Sequence, residues 1–196
     1  MKKPTISLAA VERVDAVPLR KALELYRKAT AEISSARTRE TALRKEISGY
    51  LESIDVDDEK AVSLVGGKKI QLEILPNLIR KVERTLADQI APSLLREADK
   101  FKSGLCHFYR EAHAAVAAQL AEVFRAYFAD RVAAGDKVDR AVEIARQTDD
   151  CQAIAARLAE AGQIQLPDQP RSNNPAAWDN GVVGAAEQLL VLAEKS

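Results

Sequence analysis

Three residues of reactive types lie close together in the second half of the chain: Cys106, His107 and His113. Cysteine and histidine can form a nucleophile–base pair or bind a transition metal. On a helix, however, two histidines reach one ion best at a spacing of four residues, and no acidic ligand follows at a matching spacing. A nucleophile would also need an electropositive cleft and an orienting third residue. We therefore predict that Cys106 and the distant Cys151 are reduced and structural.

Two further segments bear a partial likeness to ligand-binding loops. Gly66-Gly67-Lys68 matches the end of a phosphate-binding loop, but the motif needs an earlier glycine and a Ser or Thr after the lysine, and Lys69 follows instead. The acidic residues 57–59 lack the alternating ligands of a calcium loop. Serine, histidine and aspartate show no nucleophile elbow or triad-like setting. We predict no catalytic residue, metal site, cofactor or small-molecule ligand, and hence no enzyme.

A long first helix is predicted from Pro18, whose missing N–H is harmless in a first helical turn. Apolar residues recur at two positions of a seven-residue repeat, which is typical of a coiled-coil face. These positions hold Leu19, Tyr26, Ile33, Ile47 and Ile54, and Ala22, Ala29, Ala36, Leu43 and Tyr50. Glu40 is the charged exception, and a charge there is costly unless it is paired.

A small β-hairpin is predicted after an acidic connector at residues 55–59. Apolar and polar residues alternate from Lys69 to Ile74, which is typical of a strand with one wet face. A two-residue Gly-Gly turn would place the apolar residues of the two strands on opposite faces. A three-residue loop with Gly67 in the left-handed conformation gathers them on one face, and we prefer this register. The apolar face then holds Val62, Leu64, Ile70, Leu72 and Ile74.

A second helical stretch is predicted from Pro76-Asn77 to about residue 134. Its apolar stripe passes from heptad spacing through repeated spacings of four and back to heptads, so its packing partner must change along the helix. Pro92 falls in this region and is expected to kink or break the helix. The stripe holds Ile79, Val82, Leu86, Ile90, Leu94, Ala98, Phe101, Leu105, Phe108, Ala112 and Ala115.

The C-terminal third is predicted to cover the end of the second helix, where apolar residues from Val116 to Phe128 occupy more than one face. Asp136 is a suitable N-cap for a helix that ends near Gly162, with a possible break at Asp149. A Pro-containing linker at 163–175 precedes a last helix near Trp178.

The predicted fold class is thus mainly α: a long antiparallel helical hairpin, or coiled coil, with a small β-hairpin at its connection and C-terminal packing helices. We divide it into an irregular N-terminal arm at 1–16, a helix/β-hairpin/helix domain at 17–134, and a C-terminal helical segment at 135–196.

The amino-acid composition disfavours several classes of protein. Of 196 residues, 47% are hydrophobic and 30% charged, and few aromatic residues disfavour a sheet-rich sandwich. No apolar run reaches the roughly 18 residues of a membrane span, and Pro4 and Glu12 interrupt any secretion signal. We expect a cytoplasmic protein without a membrane partner. Basic residues are interleaved with glutamate rather than concentrated, so nucleic acid is not the expected partner.

The layout of helix, β-hairpin and helix across residues 18–133 resembles that of prefoldin-type chaperone subunits. The resemblance is one of architecture and is carried by no sequence motif. It implies oligomerisation through the hairpins and holding of unfolded clients at the helix tips.

We predict a non-enzymatic structural or adaptor protein that acts through coiled-coil protein–protein interaction and self-assembles into a homo-oligomer. The proposed interaction residues are Val62, Leu64, Ile70, Leu72, Ile74 and Trp178, where Trp178 either anchors a partner or docks onto its own chain. A prefoldin-like holdase and a nucleic-acid-binding coiled-coil protein are the alternatives.

Overall fold

The computed structural model describes residues 13–53, 58–128, 137–167 and 179–194. These residues are almost entirely helical, and none of them is in a β-strand. The elements in chain order are α1 (Val17–Ser53), α2 (Glu59–Thr85), the π-helical turn π1 (Leu86–Ile90), α3 (Ala91–Phe128), α4 (Lys137–Arg146), α5 (Asp149–Gln163), the π-helical turn π2 (Asp179–Val183) and α6 (Gly184–Glu194).

The predicted β-hairpin is wrong, because its residues belong to one continuous helix, α2. Asp58 caps this helix: its side chain accepts hydrogen bonds from the backbone N–H groups of Lys60 and Ala61 at 3.1 Å. The predicted second helix therefore begins at Glu59, and Pro76 lies inside it rather than at its start. The prefoldin resemblance depended on the hairpin and loses its basis with it.

A longer helical pattern explains this outcome. Val65, Leu75, Ile79 and Leu86 are buried, with Leu72 half-buried between them, and their spacing follows one face of a helix over six turns. The period-two alternation from Lys69 to Ile74 covers only six residues. The helical register buries one apolar side of the segment, and Gly66 and Gly67 are tolerated in it.

The chain divides into two compact units. Of the described residues, the first comprises 20–53, 58–95 and 179–180, and the second comprises 13–19, 96–128, 137–167 and 181–194.

In the first unit, most of the apolar repeat predicted for α1 is buried, including Tyr26, Ile33 and Ile47. Ala36 is half-buried, Tyr50 is exposed, and Ile54 lies outside the described residues. Side chains late in α1 meet side chains early in α2, since Lys68 donates to Glu46, whereas Arg37 in mid-α1 pairs with Glu83 near the end of α2 at 2.5 Å. The two helices therefore run antiparallel.

Polar residues interrupt this packing where they find partners. Glu40 accepts two hydrogen bonds from Arg44 one turn later, at 2.7 and 3.2 Å, and this pairing satisfies the charge in the apolar repeat. The Lys68 ammonium lies 5.2 Å from the centre of the Tyr50 ring and donates to Glu46. This hydrogen bond to Glu46 raises the pKa of Lys68 above its ordinary value.

The π1 turn shows how the helical stretch accommodates Pro92. Proline at this position cannot donate to the carbonyl of Asp88, and a regular helix would clash with its ring. The turn widens instead, and the N–H of Ala91 donates to the carbonyl of Leu86, five residues earlier. The apolar spacing of four at Leu86, Ile90 and Leu94 coincides with this wider turn.

In the second unit, α4 and α5 pack on the last third of α3. The buried cluster consists of Val116, Ala117, Leu120, Ala121, Ala141, Ala145 and Cys151, and Phe124, Val142 and Ile154 pack against it. The side chain of Lys102 donates to the carbonyl of Ile164 just after α5, at 2.6 Å. This hydrogen bond satisfies a carbonyl at the end of α5.

The π2 turn and helix α6 contribute a second apolar surface to this unit through buried residues that include Val182 of π2 and Leu189 and Leu192 of α6. The buried Tyr109 of α3 packs edge-on against Phe108, with ring centres 5.3 Å apart, and its hydroxyl donates to the carbonyl of Leu192 at 2.9 Å. That carbonyl lies in the last turn of α6.

Replacing Tyr109 by Phe is expected to lower the free energy of unfolding by about 1 kcal/mol, because the ring packing is kept and one buried hydrogen bond is lost. Chemical denaturation followed by circular dichroism measures the change. The matched control is Tyr50→Phe, since Tyr50 is among the exposed large side chains and should leave the midpoint unchanged. Equal effects of the two variants would contradict a stabilising role for the Tyr109 hydrogen bond.

Several sequence predictions lie outside the described residues. They are the arm up to residue 12, the predicted helix stop at Gly135 and cap at Asp136, most of the linker, and Trp178.

Candidate interaction surface on helix α2

Most of the predicted interaction residues are exposed, although they lie on a helix and not on a hairpin. Ile70 and Ile74 are 60% and 59% exposed, and Val62 and Leu64 are 47% and 49% exposed. Leu72 is half-buried toward the inner side of α2. The sequence analysis missed Leu78, which is 50% exposed.

Helical geometry places Ile70, Ile74 and Leu78 on one face, whereas Val62 and Leu64 lie to either side of it. Ile70, Ile74 and Leu78 are spaced by four, so they form a continuous ridge along α2. Val65, Leu75 and Ile79, which are buried, lie on the opposite side. We call the exposed side the outer face. It holds Glu59, Ser63, Gly66, Gly67, Ile70, Ile74, Asn77, Leu78, Lys81 and Arg84.

Gly66 and Gly67 make the N-terminal half of the outer face shallow. A β-carbon placed on either glycine would meet no atom within 4 Å. Packing within the chain therefore does not require glycine here, although each costs a helix about 1 kcal/mol relative to alanine. Glycine on a helix surface does permit another backbone to approach closely.

A basic cavity lies at the C-terminal end of the outer face. Its volume is about 420 Å³, and it is lined by Asn77, Arg80, Lys81, Arg84, Thr85, Asp88 and Gln89. Asp88 and Gln89 belong to π1, so the wider turn shapes this end of the cavity. Among the described residues, no acidic side chain forms an ion pair with Arg80, Lys81 or Arg84.

This arrangement can attract carboxylate or phosphate groups. An arginine guanidinium binds such groups through two parallel hydrogen bonds, and two arginines one turn apart present these donors on one side of the helix. The amides of Asn77 and Gln89 add donors and acceptors at the edges. The outer face thus joins an apolar ridge to a basic end.

The residues with possible catalytic chemistry are not brought together. Cys151 is fully buried in the α3–α5 cluster, and Cys106 is half-buried on α3. His107 lies 3.1 Å from Glu111 in an exposed pair, whereas His113 is half-buried. Within the described ranges, no group of three or more His, Cys, Asp or Glu side chains is placed to hold a metal ion.

The partial phosphate-loop match is also accounted for. Gly66 and Gly67 are helical, and the side chain of Lys68 turns to Glu46 and Tyr50 of α1. The basic cavity has no signal in the sequence pattern, because a helix that begins at Pro76 does not share an exposed side with residues 59–75.

Comparisons with protein families, with curated protein sequences and with solved structures found no match. Among the helices in the described part of the chain, none is long and apolar enough to cross a membrane.

Proposed function

We propose that this chain is a non-enzymatic cytoplasmic adaptor or structural protein that binds another protein chain through the outer face of α2. The observation that carries the proposal is the exposed ridge of Ile70, Ile74 and Leu78 on the side of α2 opposite its buried face. The basic cavity at one end of the ridge supports the same proposal, because it makes the two ends of the face different and so favours one orientation of a bound partner.

The energy available on this face suits a protein partner. Fully burying an isoleucine or leucine side chain contributes about 1.5–3 kcal/mol, so covering the exposed half of three such side chains contributes roughly 3 kcal/mol. Shape complementarity at the two glycines and hydrogen bonds at the arginines add to this value. An amphipathic helix supplies both kinds of contact on one side.

The alternative functions use less of this surface. A holdase that binds unfolded chains needs apolar residues, but it needs neither the shallow segment at Gly66 and Gly67, which we call the glycine notch, nor a basic end. A nucleic acid would use Arg80, Lys81 and Arg84 but leave Ile70 and Ile74 uncovered. A folded protein partner makes use of all three features.

The proposal is tested by replacing Ile74 with a photo-crosslinking amino acid in cells that naturally produce the protein. Irradiation is expected to link the chain to discrete protein species, which are resolved by electrophoresis and mass spectrometry. The matched control carries the same probe at Val191 of α6, which is 52% exposed and lies in the other unit. Equal or absent crosslinking at the two positions would overturn the proposal.

A further inference from the structure

We infer that the partner of the outer face is a second copy of this chain, whose α2 packs antiparallel against the first. This inference rests on the proposed function and specifies its partner. It is carried by the order of features along α2: an acidic first turn, two glycines, an apolar ridge and a basic last turn. In an antiparallel pair, each feature of one helix meets a complementary feature of the other.

The apolar ridges of the two copies can pack against each other in this arrangement. If the two helices cross near residues 71 and 72, Ile70 of one copy lies beside Ile74 of the other, and the twofold axis repeats the contact. Leu78 then lies over the end that holds Gly66 and Gly67, where a β-carbon would meet nothing within 4 Å. The open space over the glycines receives the large side chain of the opposite ridge.

The charges fit within one residue of the same register, because the contact of Ile70 with Ile74 is centred on residue 72 and the two charge contacts are centred on residue 71 or between residues 71 and 72. Lys69 and Glu73 flank the ridge, are both exposed, and lie at equal distances on either side of residue 71. The pair therefore places each lysine beside the glutamate of the other copy. Glu59 and Arg84 lie on the outer face about 12 residues on either side of the same centre, so each basic end meets an acidic end.

A second copy explains this symmetry better than an unrelated partner. An interface between identical chains about a twofold axis must be self-complementary, so acidic and basic groups must be placed at matched distances from its centre. An unrelated acidic helix would require only the ridge and the basic end. The exposed glutamates at Glu59 and Glu73 and the glycine notch would then have no use.

The oligomeric state of the purified full-length chain tests the inference directly. Sedimentation equilibrium in the micromolar range is expected to give a dimer for the unmodified protein. Arg84→Glu is expected to weaken dimerisation at least tenfold, because both ends of the interface then carry like charges. Arg96→Glu, at an exposed position of α3, is the matched control and should leave the dimer unchanged.

A charge exchange provides the stricter test. Glu59→Arg weakens the dimer alone, but the double variant Glu59→Arg/Arg84→Glu restores opposite charges at both ends and should recover most of the affinity. All these side chains are exposed, so circular dichroism should show unchanged helix content. Ile74→Asp should abolish the dimer.

Three results would overturn the inference: a monomer of the unmodified protein at tens of micromolar, no recovery in the double variant, or a dimer that survives Ile74→Asp. If the purified protein is monomeric while a probe at Ile74 still captures other proteins in cells, the second copy is wrong and the proposed function stands. If both experiments fail, the outer face of α2 is not an interaction surface.

Discussion

Replacing Ile33 by Asp is expected to lower the free energy of unfolding by about 3–5 kcal/mol. Ile33 is 7% exposed and lies in the middle of the buried side of α1, between Ala29 and Leu43. The substitution removes the burial energy of a large apolar side chain and places a carboxylate on the buried, apolar side of α1. Urea denaturation followed by circular dichroism measures the loss, and the thermal midpoint should fall by roughly 6–20 °C.

Leu25→Asp is the matched control for this variant. Leu25 belongs to the same helix but is 59% exposed, so the same change of side chain should alter stability by less than about 0.5 kcal/mol. Similar losses in the two variants would mean that helix propensity or net charge, and not burial of Ile33, determines the result.

The buried side of α1 could be predicted because its pattern is long. Seven-residue spacing from Leu19 to Ile47 covers four heptads, and no strand or irregular segment reproduces it. The cover that α4 and α5 give to Val116 and Leu120 could be predicted for a related reason. Apolar residues on more than one face of a helix need additional elements, and only the C-terminal residues were available.

The β-hairpin prediction was wrong because it relied on short sequence signals. Between Lys69 and Ile74 the alternation fits a strand, and Gly66-Gly67 fits a turn, but both signals are short. Helix α2 is favoured by residues on both sides of this segment: the Asp58 cap before it and the buried Leu75, Ile79 and Leu86 after it. A helix is cooperative, so a segment with weak propensity becomes helical between two well-stabilised ends.

The same assignment of a strand determined which residues the sequence analysis grouped on the candidate surface. Residues on one strand face share the parity of their numbers, so Leu72 was grouped with Ile70 and Ile74. On a helix Leu72 turns inward, and Leu78, Lys81 and Arg84 join the exposed side instead. The residue types were therefore informative, whereas the face they form depended on the type of secondary structure. The π1 turn, which shapes the basic cavity, had no predictable sequence signal beyond Pro92.

The double variant Gly66→Ala/Gly67→Ala is expected to raise the free energy of unfolding by about 1–2 kcal/mol. Alanine stabilises a helix interior by about 1 kcal/mol relative to glycine, and the two new methyl groups would meet no atom within 4 Å. Neither glycine has a positive φ, so alanine fits the backbone without strain. In a hairpin with Gly67 in the left-handed conformation, the same variant would be destabilised, so the sign of the change distinguishes helix from turn.

The measurement requires conditions in which the chain is monomeric, because the same methyl groups fill the notch that a second copy would occupy. At protein concentrations below the dissociation constant of the dimer, denaturation should show the gain in stability, whereas sedimentation at higher concentration should show a weaker dimer. Gly104→Ala is the matched control, since its β-carbon would lie 3.1 Å from Cγ1 of Val14. That close approach should offset the gain in helix propensity. A loss of stability in the double variant would contradict a helical α2 through Gly66 and Gly67. An equally large gain in stability in Gly104→Ala would show that the open space at Gly66 and Gly67 does not determine the gain.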